Sequence, residues 1–544
     1  MLTSLDYGFC TIFAVNNTHK KSGSHRTPHC SSSKTTTPTS IIAANTPMST
    51  FVASPVPSRR RCGAFSFSIP PCYLTGSDRW APGFIVRYMD TGDSTALLTD
   101  MYELTMVDAA IEHGVANRRC VFEVFTRRFP HTRRFQVVAG TGRLLEGLKR
   151  FHFDDSQLRF LADNHIVGSQ TLKFLENYRF SGDIYGYPEG EIFLVNSPIL
   201  TVEGTFAEAC LLETYLLSVL NYDCAVASAA SRMTIAAHGR PCLDMGARRA
   251  HERAAVSAAR AAQVGGFQGT SNLEAGKRYG IRTIGTAAHA FTLLFDSESD
   301  AFKAQIDSMS PHTTLLVDTY DVATAVKKAV ETARAAGGEL GAVRLDSGDL
   351  VAGAFKVRKL LDDLGATTTK ITVTNDLDEY AIAGLGAAPV DSYGVGTMLV
   401  TGSGIPTSAL VYKLVAREGA DGTMEPVSKE SPEKATQGAR KWAGRVIVDN
   451  TATTELLVSA PNAAVAQAYL NSRQARALQV QFVADGEVDT SWIGPEALQR
   501  AQQRHLESRN ELPYQAWRLS EGETAIPTEL IAVSEAEKTP SQAQ

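Results

Sequence analysis

"LGAVRLDSGDLVAGAFKVRKLLDDLG" (340–365) decides the fold. Its first ten residues read as a short apolar strand that ends in a polar run, and the rest, from Leu350, reads as a helix closed by Gly365. The same unit precedes and follows it. "TTLLVDTYD" (313–321) is an apolar strand before the helix "VATAVKKAVETARAAGG", and "KITVTNDLD" (370–378) is a strand before "EYAIAGLG". A fourth strand, "DSYGVGTML" (391–399), ends the series. Strand and helix alternate as parallel βα units demand. In each unit the polar residues gather where the strand ends: Asp318 and Asp321, then Arg344, Asp346 and Ser347, then Asn375 and Asp376, then Gly394 and Gly396. In barrels and in doubly wound sheets alike, that edge binds ligands.

Those residue types suit a polyanionic ligand that carries a sugar. Glycines let backbone amides approach phosphate oxygens, carboxylates hold Mg²⁺ or ribose hydroxyls, and an arginine clamps a planar carboxylate at two points. The expected ligand is a phosphosugar with a small acid. "GTAAHAF" (285–291) adds one histidine, His289, among small and apolar neighbours, where the plain reading is a core histidine hydrogen-bonded to backbone. Two other motifs fail on spacing. "LLVDTYDVATA" (315–325) has Ala325 where the phosphoribosyl-diphosphate loop of type I phosphoribosyltransferases needs glycine, and "GGFQGTSNLEAGK" (265–277) does not make a Walker A loop.

The chain has 544 residues, 44% hydrophobic and 20% charged, enough for a large core and more than one domain. No run of residues is long and apolar enough for a membrane span, and the start lacks the pattern of a secretory signal. The eight cysteines include no CxxC pair, so reduced thiols are expected. Charge divides unevenly: residues 1–85 hold eight Lys/Arg against Asp6 and Asp78, a net +6, leaving −11 for the rest. An acidic body argues against nucleic-acid binding. The basic stretch, with "SSSKTTTPTS" (31–40) and "STFVASPVPSRRRC" (49–62), has no helical or strand period and reads as a disordered extension without the apolar periodicity needed to dock on a core. A transit peptide, a low-complexity tail and a misassigned start all share that composition. The expected location is cytoplasmic, or organellar if 1–85 is a transit peptide. Regular structure begins with a helix in 94–114, where Asp100 is the cap, Leu104, Ala109 and Ile111 face inward and Gly114 is the stop, and one long buried helix is expected over 205–233.

"LLTDMYELTM" (97–106), "DMGARRAHERAAVSAARAAQVGGFQGTSNLEAGKRYGIRTIGTAAHAF" (244–291), "LLVDTYDV" (315–322), "GAVRLDSGDL" (341–350) and "YGVGTMLVTGSGIPTSALVYKL" (393–414) together resemble nicotinate phosphoribosyltransferase, in that family's order and spacing. The resemblance runs from about residue 95 to "LPYQAWRLSEGETAIPTELI" (512–531). It implies an α/β fold of the type II phosphoribosyltransferase kind: an irregular TIM-like barrel over 205–414, with an α+β domain made from 86–204 and from a C-terminal segment, 415–544, that packs back on it. It also implies a homodimer with sites at the interface, and synthesis of nicotinate mononucleotide from nicotinate and phosphoribosyl diphosphate in NAD salvage. ATP enters as co-substrate and Mg²⁺ as cofactor.

The family's site residues fall on named positions here. His289 would be transiently phosphorylated by ATP, Arg344 would pair with the nicotinate carboxylate and Thr286 would line the same pocket. Arg248 would grip ribose or phosphate, Asp318 and Asp346 would orient ribose hydroxyls and Mg²⁺, and Gly396 and Thr397 would bind the 5′-phosphate. Tyr102 would stack on the pyridine ring from the partner subunit. Simpler readings exist for three of these: Tyr102 as a core aromatic, Asp318 as a helix cap and Gly396 as a tight turn. Met245 stands where many relatives carry an aromatic, and "PVSKESPEKATQGARK" (426–441) matches the family's basic loop only imperfectly. Two alternatives are a nicotinamide phosphoribosyltransferase and a non-catalytic regulator that binds phosphoribosyl diphosphate.

Overall fold

In the computed structural model the described residues are 93–130, 132–429 and 437–534. The expected disordered extension, 1–85, and part of the basic loop lie outside them. The four strands expected between 313 and 399 form at Thr314–Leu316, Ala342–Leu345, Lys370–Val373 and Ser392–Val395, and Cys242–Asp244 joins them as a fifth. All pair in parallel, in the spatial order Cys242–Asp244, Ser392–Val395, Lys370–Val373, Ala342–Leu345, Thr314–Leu316. Single parallel bridges from Asp244 to Thr270 and from Thr270 to Thr283 extend one edge. The hydrogen-bonded strands thus make an open sheet, and among the described residues they close no ring.

The two faces of each strand differ in chemistry. Leu315, Val317, Val343, Leu345, Ile371, Val373, Tyr393 and Val395 are buried and pack in one apolar cluster with Ala325, Val326, Ala329, Ala354, Val357 and Leu361 of the following helices. The alternate positions Thr314, Ala342, Arg344, Thr372, Ser392 and Gly394 face a cavity instead. The crossover helices start on carboxylate caps: Asp321 accepts from Thr324 N, Asp349 from Ala352 N, and Asp378 from Tyr380 N and Ala381 N. Asp321, one of the strand-end carboxylates, is therefore spent on helix 322–335.

The remaining strands of the described residues form a four-stranded sheet, a two-stranded one and a seven-stranded antiparallel sheet. The last runs Met424–Pro426, Leu410–Glu418, Arg119–Thr126, Leu200–Thr205, Asp183–Gly186, Val480–Ala484, Glu487–Val488, so late and early segments of the chain interleave. The described residues cluster as one compact unit. Two local expectations change. The first helix, Met101–Glu112, buries Glu103, Leu104, Val107 and Ala110, while Ala109 is exposed, because the four buried positions lie on one stripe of the 3.6-residue repeat and Ala109 does not. Its end follows expectation, with Gly114 at φ +69° just past it. The long buried helix is broken in two, Phe206–Cys210 and Glu213–Ala236, and the first begins on a capping box made by Thr205 and Glu208. No helix of the described residues is long and apolar enough to cross a membrane.

Arg445 is the electrostatic joint between late and early segments. It is fully buried and donates to Glu191 Oε1 at 2.8 Å, Ile192 O at 2.7 Å, Glu455 Oε2 at 2.8 Å and Ser508 Oγ at 3.0 Å. Arg445→Ala strands two buried carboxylates and is expected to destabilise the fold by about 3–5 kcal/mol in chemical denaturation, where a loss below about 1 kcal/mol would contradict the assignment.

Candidate active site

The inward faces of the parallel strands enclose a cavity of about 1200 Å³. His289, Arg344, Asp346, Thr286, Arg248, Gly396 and Thr397 all line it, from strand ends and loops far apart in sequence. Asp318 reaches the same cluster through its hydrogen bonds. Its Oδ2 accepts from Asp346 N at 2.7 Å and from Ser347 Oγ at 2.7 Å, which ties the ends of two neighbouring strands together. Its Oδ1 is buried with no hydrogen-bond partner. The cap reading of Asp318 fails, since Asp321 fills that role.

His289 opens the short helix His289–Leu294 and is half-buried. Its Nδ1 lies 3.0 Å from Thr319 Oγ1, which sets the plane of the ring and turns Nε2 toward Asp318 Oδ1 at 4.0 Å and Asp346 Oδ2 at 3.9 Å. An imidazole held this way beside two carboxylates is not a core histidine bonded to backbone. Asp346 is itself held, by Thr374 Oγ1 on the next strand.

Arg344 rises from the inward face of its strand. Burial pulls its guanidinium below the usual arginine range; Asp346 and Asp318 work against that shift, and Arg248 adds to it. Its Nη1 reaches only Thr286 Oγ1, at 3.4 Å, and its Nε is buried without a partner. A desolvated cation so poorly satisfied favours an incoming anion.

The loop that carries Arg248 is shaped by buried Asp244, which accepts from Thr270 Oγ1 at 2.6 Å and from Gly246 N at 2.8 Å. Gly396 has room for a Cβ, its nearest neighbour being Met245 O at 3.6 Å, so packing does not demand glycine there. Gly394 is different: a Cβ would meet Thr374 Cγ2 at 2.5 Å and Met245 Sδ at 2.6 Å, so these three residues form a waist in the cavity.

Tyr102 stands apart from the rest. It sits on helix Met101–Glu112, 44% exposed, where burial first and Glu213 second push its phenol up to about 12. It does not line the cavity, and among the described residues no Phe, Tyr or Trp does. Met245, Leu243, Ile284 and Met309 supply the cavity's larger apolar surfaces. Of the positioning residues, Thr319 and Thr374 were not singled out in the sequence, and Ser347 stood among the strand-end polar residues without a role of its own. Asn375 and Asp376, at φ +92° and +45° on the cavity wall, had their signal in the type of residue: Asn and Asp tolerate left-handed backbone best after glycine.

Comparison with known proteins agrees with this geometry. Residues 97–221 match the N-terminal domain profile of nicotinate phosphoribosyltransferase, and residues 241–402 match the profile of the nicotinate phosphoribosyltransferase family. Nicotinate phosphoribosyltransferase pncB1 of Mycobacterium tuberculosis is 49% identical over 453 residues, covering 81% of this chain and 96% of the relative. The nicotinate phosphoribosyltransferase of Bacillus subtilis is 39% identical over 67% of this chain and 75% of its own length. Among solved structures, human nicotinic acid phosphoribosyltransferase superposes with a TM-score of 0.66 at 23% identity, over 79% of this chain and 98% of that one, which shows a common fold. With cavity, strand order and close relatives in agreement, the chain belongs to the nicotinate phosphoribosyltransferase family.

Proposed function

We propose that this chain joins nicotinate to the C1 carbon of phosphoribosyl diphosphate, forming nicotinate mononucleotide and releasing diphosphate, and that ATP drives the reaction through His289. The observation that carries the choice of base is Arg344, a desolvated guanidinium with an unpartnered Nε inside the cavity. A pyridine carboxylate pairs with it, whereas a carboxamide leaves the positive charge uncompensated. Thr286, at hydrogen-bond reach of Arg344, then touches the same end of the base. Attack comes from the ring nitrogen as the C1–diphosphate bond breaks, and positioning with charge neutralisation supplies most of the acceleration.

His289 takes the γ-phosphoryl group on Nε2 in this reading, forming a P–N bond as the bond to the ADP oxygen breaks; Thr319 fixes the ring through Nδ1. Two carboxylates about 4 Å from that nitrogen oppose an incoming phosphate. The unpartnered Asp318 Oδ1 and the nearby Asp346 Oδ2 are hard oxygens that fit a divalent cation. No group of three or more His, Cys, Asp or Glu among the described residues forms a complete metal cage, in keeping with Mg²⁺ held jointly by Asp318, Asp346 and substrate phosphates. Bound there, Mg²⁺ would supply charge neutralisation for the diphosphate. Arg248, Gly396 and Thr397 face the same mouth of the cavity, where the phosphorylated sugar would lie.

A homodimer is part of the same proposal, and the first helix supports it. Leu98 (60% exposed), Met101 (58%), Tyr102 (44%) and Met106 (39%) form an apolar surface that a second copy would cover, bringing Tyr102 to the partner's ring site.

Three outcomes are expected. Purified enzyme given both bases with phosphoribosyl diphosphate, ATP and Mg²⁺ should turn over nicotinate in preference to nicotinamide; preference for nicotinamide, or binding without product, would favour one of the alternative functions. Arg344→Ala should cost roughly 2–3 kcal/mol of nicotinate binding, seen as a KM for nicotinate raised about 30- to 150-fold. His289→Ala should abolish the acid-labile, base-stable protein label from γ-labelled ATP and leave slow, ATP-independent transfer; retention of ATP-stimulated turnover would remove His289 from the mechanism.

A further inference from the structure

The cavity does not stop at the residues that serve the proposed reaction. Thr314, Ala342 and Lys370 lie opposite one another at the N-terminal edge of the sheet, and all three line it. One inward row above them, Arg344 lies opposite Thr372, which lies opposite Ser392. Asp346 and Thr374 lie one row higher again. At a rise of about 3.3 Å per residue, the Arg344 backbone is thus about 7 Å from the N-terminal rim. It is equally near the C-terminal edge. The lower rim is open to solvent: Met309 is 44% exposed, the Lys370 side chain 65% exposed, and His312 is exposed.

Small side chains line much of the lower half, beside Pro241, Met309 and His312. A packed barrel interior is filled by bulky branched residues, yet here Thr314, Ala342 and Ser392 line the path, and the Thr372 and Ser392 hydroxyls bond sideways to each other at 2.8 Å. The rim does not repel an acid. Lys370 Nζ sits 3.1 Å from Asp391 Oδ1, and the other carboxylate oxygen of Asp391 accepts from Ile371 N at 2.8 Å, so the Asp391 carboxylate at the rim is compensated. The waist of Met245, Gly394 and Thr374 lies toward the phosphate-facing end.

We propose that the N-terminal edge of the parallel sheet is a second mouth of the site, through which a small planar carboxylate reaches and leaves Arg344 while a phosphosugar fills the C-terminal edge. The proposal rests on the reading of Arg344 as the partner of the carboxylate. Its physical content is separation of traffic: the larger, multiply charged ligand closes one mouth, and the small monoanion uses the other. Nicotinate is the occupant by size and charge.

The test measures nicotinate association with the full-length chain, immobilised and loaded with phosphoribosyl diphosphate without divalent cation so that no reaction occurs. Ala342→Leu narrows the lower path from within, and Lys370→Trp covers it from the exposed rim, where folding is least at risk. Both variants are expected to slow nicotinate association with the loaded chain about tenfold, with association to the unloaded chain and affinity for phosphoribosyl diphosphate unchanged. A folded Lys370→Trp chain that associates at the unaltered rate when loaded overturns the second mouth and leaves the proposed function standing. Failure of the unaltered chain to bind or turn over nicotinate overturns both.

Discussion

Every parallel strand of this protein has to satisfy two opposite environments at once. One face packs dry against helices through Leu315, Val343, Ile371 and Tyr393, and the other presents Thr314, Arg344, Thr372 and Gly394 to a cavity. Because side chains alternate with a period of two, a slip of one residue in any strand would turn leucines and valines into the site and bury an arginine among the helices. Register is therefore fixed by both stability and chemistry. The hydrogen bonds that Asp318 accepts from Asp346 and Ser347 enforce the same alignment at the strand ends.

That alignment creates an electrostatic imbalance. Arg344 is desolvated and poorly satisfied, Asp318 has an unpartnered oxygen, and His289 is fixed between two carboxylates that only approach it. Elsewhere the same chain sets buried charge against opposite charge, as around Arg445, where Glu191 and Glu455 both accept from the guanidinium although its Nε also lacks a partner. The contrast marks the cavity as a place where folding leaves interactions unmade and substrates complete them, in keeping with preorganised charge as a source of catalysis.

Much of this was legible in the sequence. The βα rhythm placed four strands and their edge, and the polar residues at the strand ends converge as their positions implied. The two-faced character of the strands was also present, in the alternation of "AVRLD" and "KITVT", although the eye is drawn to their apolar total. What could not be read was contact between segments distant in sequence. Nothing local connects Thr319 with His289, or Thr374 with Asp346. Asp321 and Asp318 look equivalent in "VDTYD", and only the path of the chain makes one a helix cap and the other a site residue. The break between Phe206–Cys210 and Glu213–Ala236 was hidden because both helices are apolar enough to read as one. Tyr102 lies away from the cavity within a single chain, so its role depends on the proposed second copy.

The account turns on where the acid group of the base is held. A crystal structure of the full-length enzyme with nicotinate bound tests this most directly. The carboxylate should lie against the Arg344 guanidinium, satisfying its Nε, with Thr286 alongside and the ring near Met245 and Gly394. A carboxylate bound instead at Arg248 or Arg249, with Arg344 still unpartnered, would contradict it.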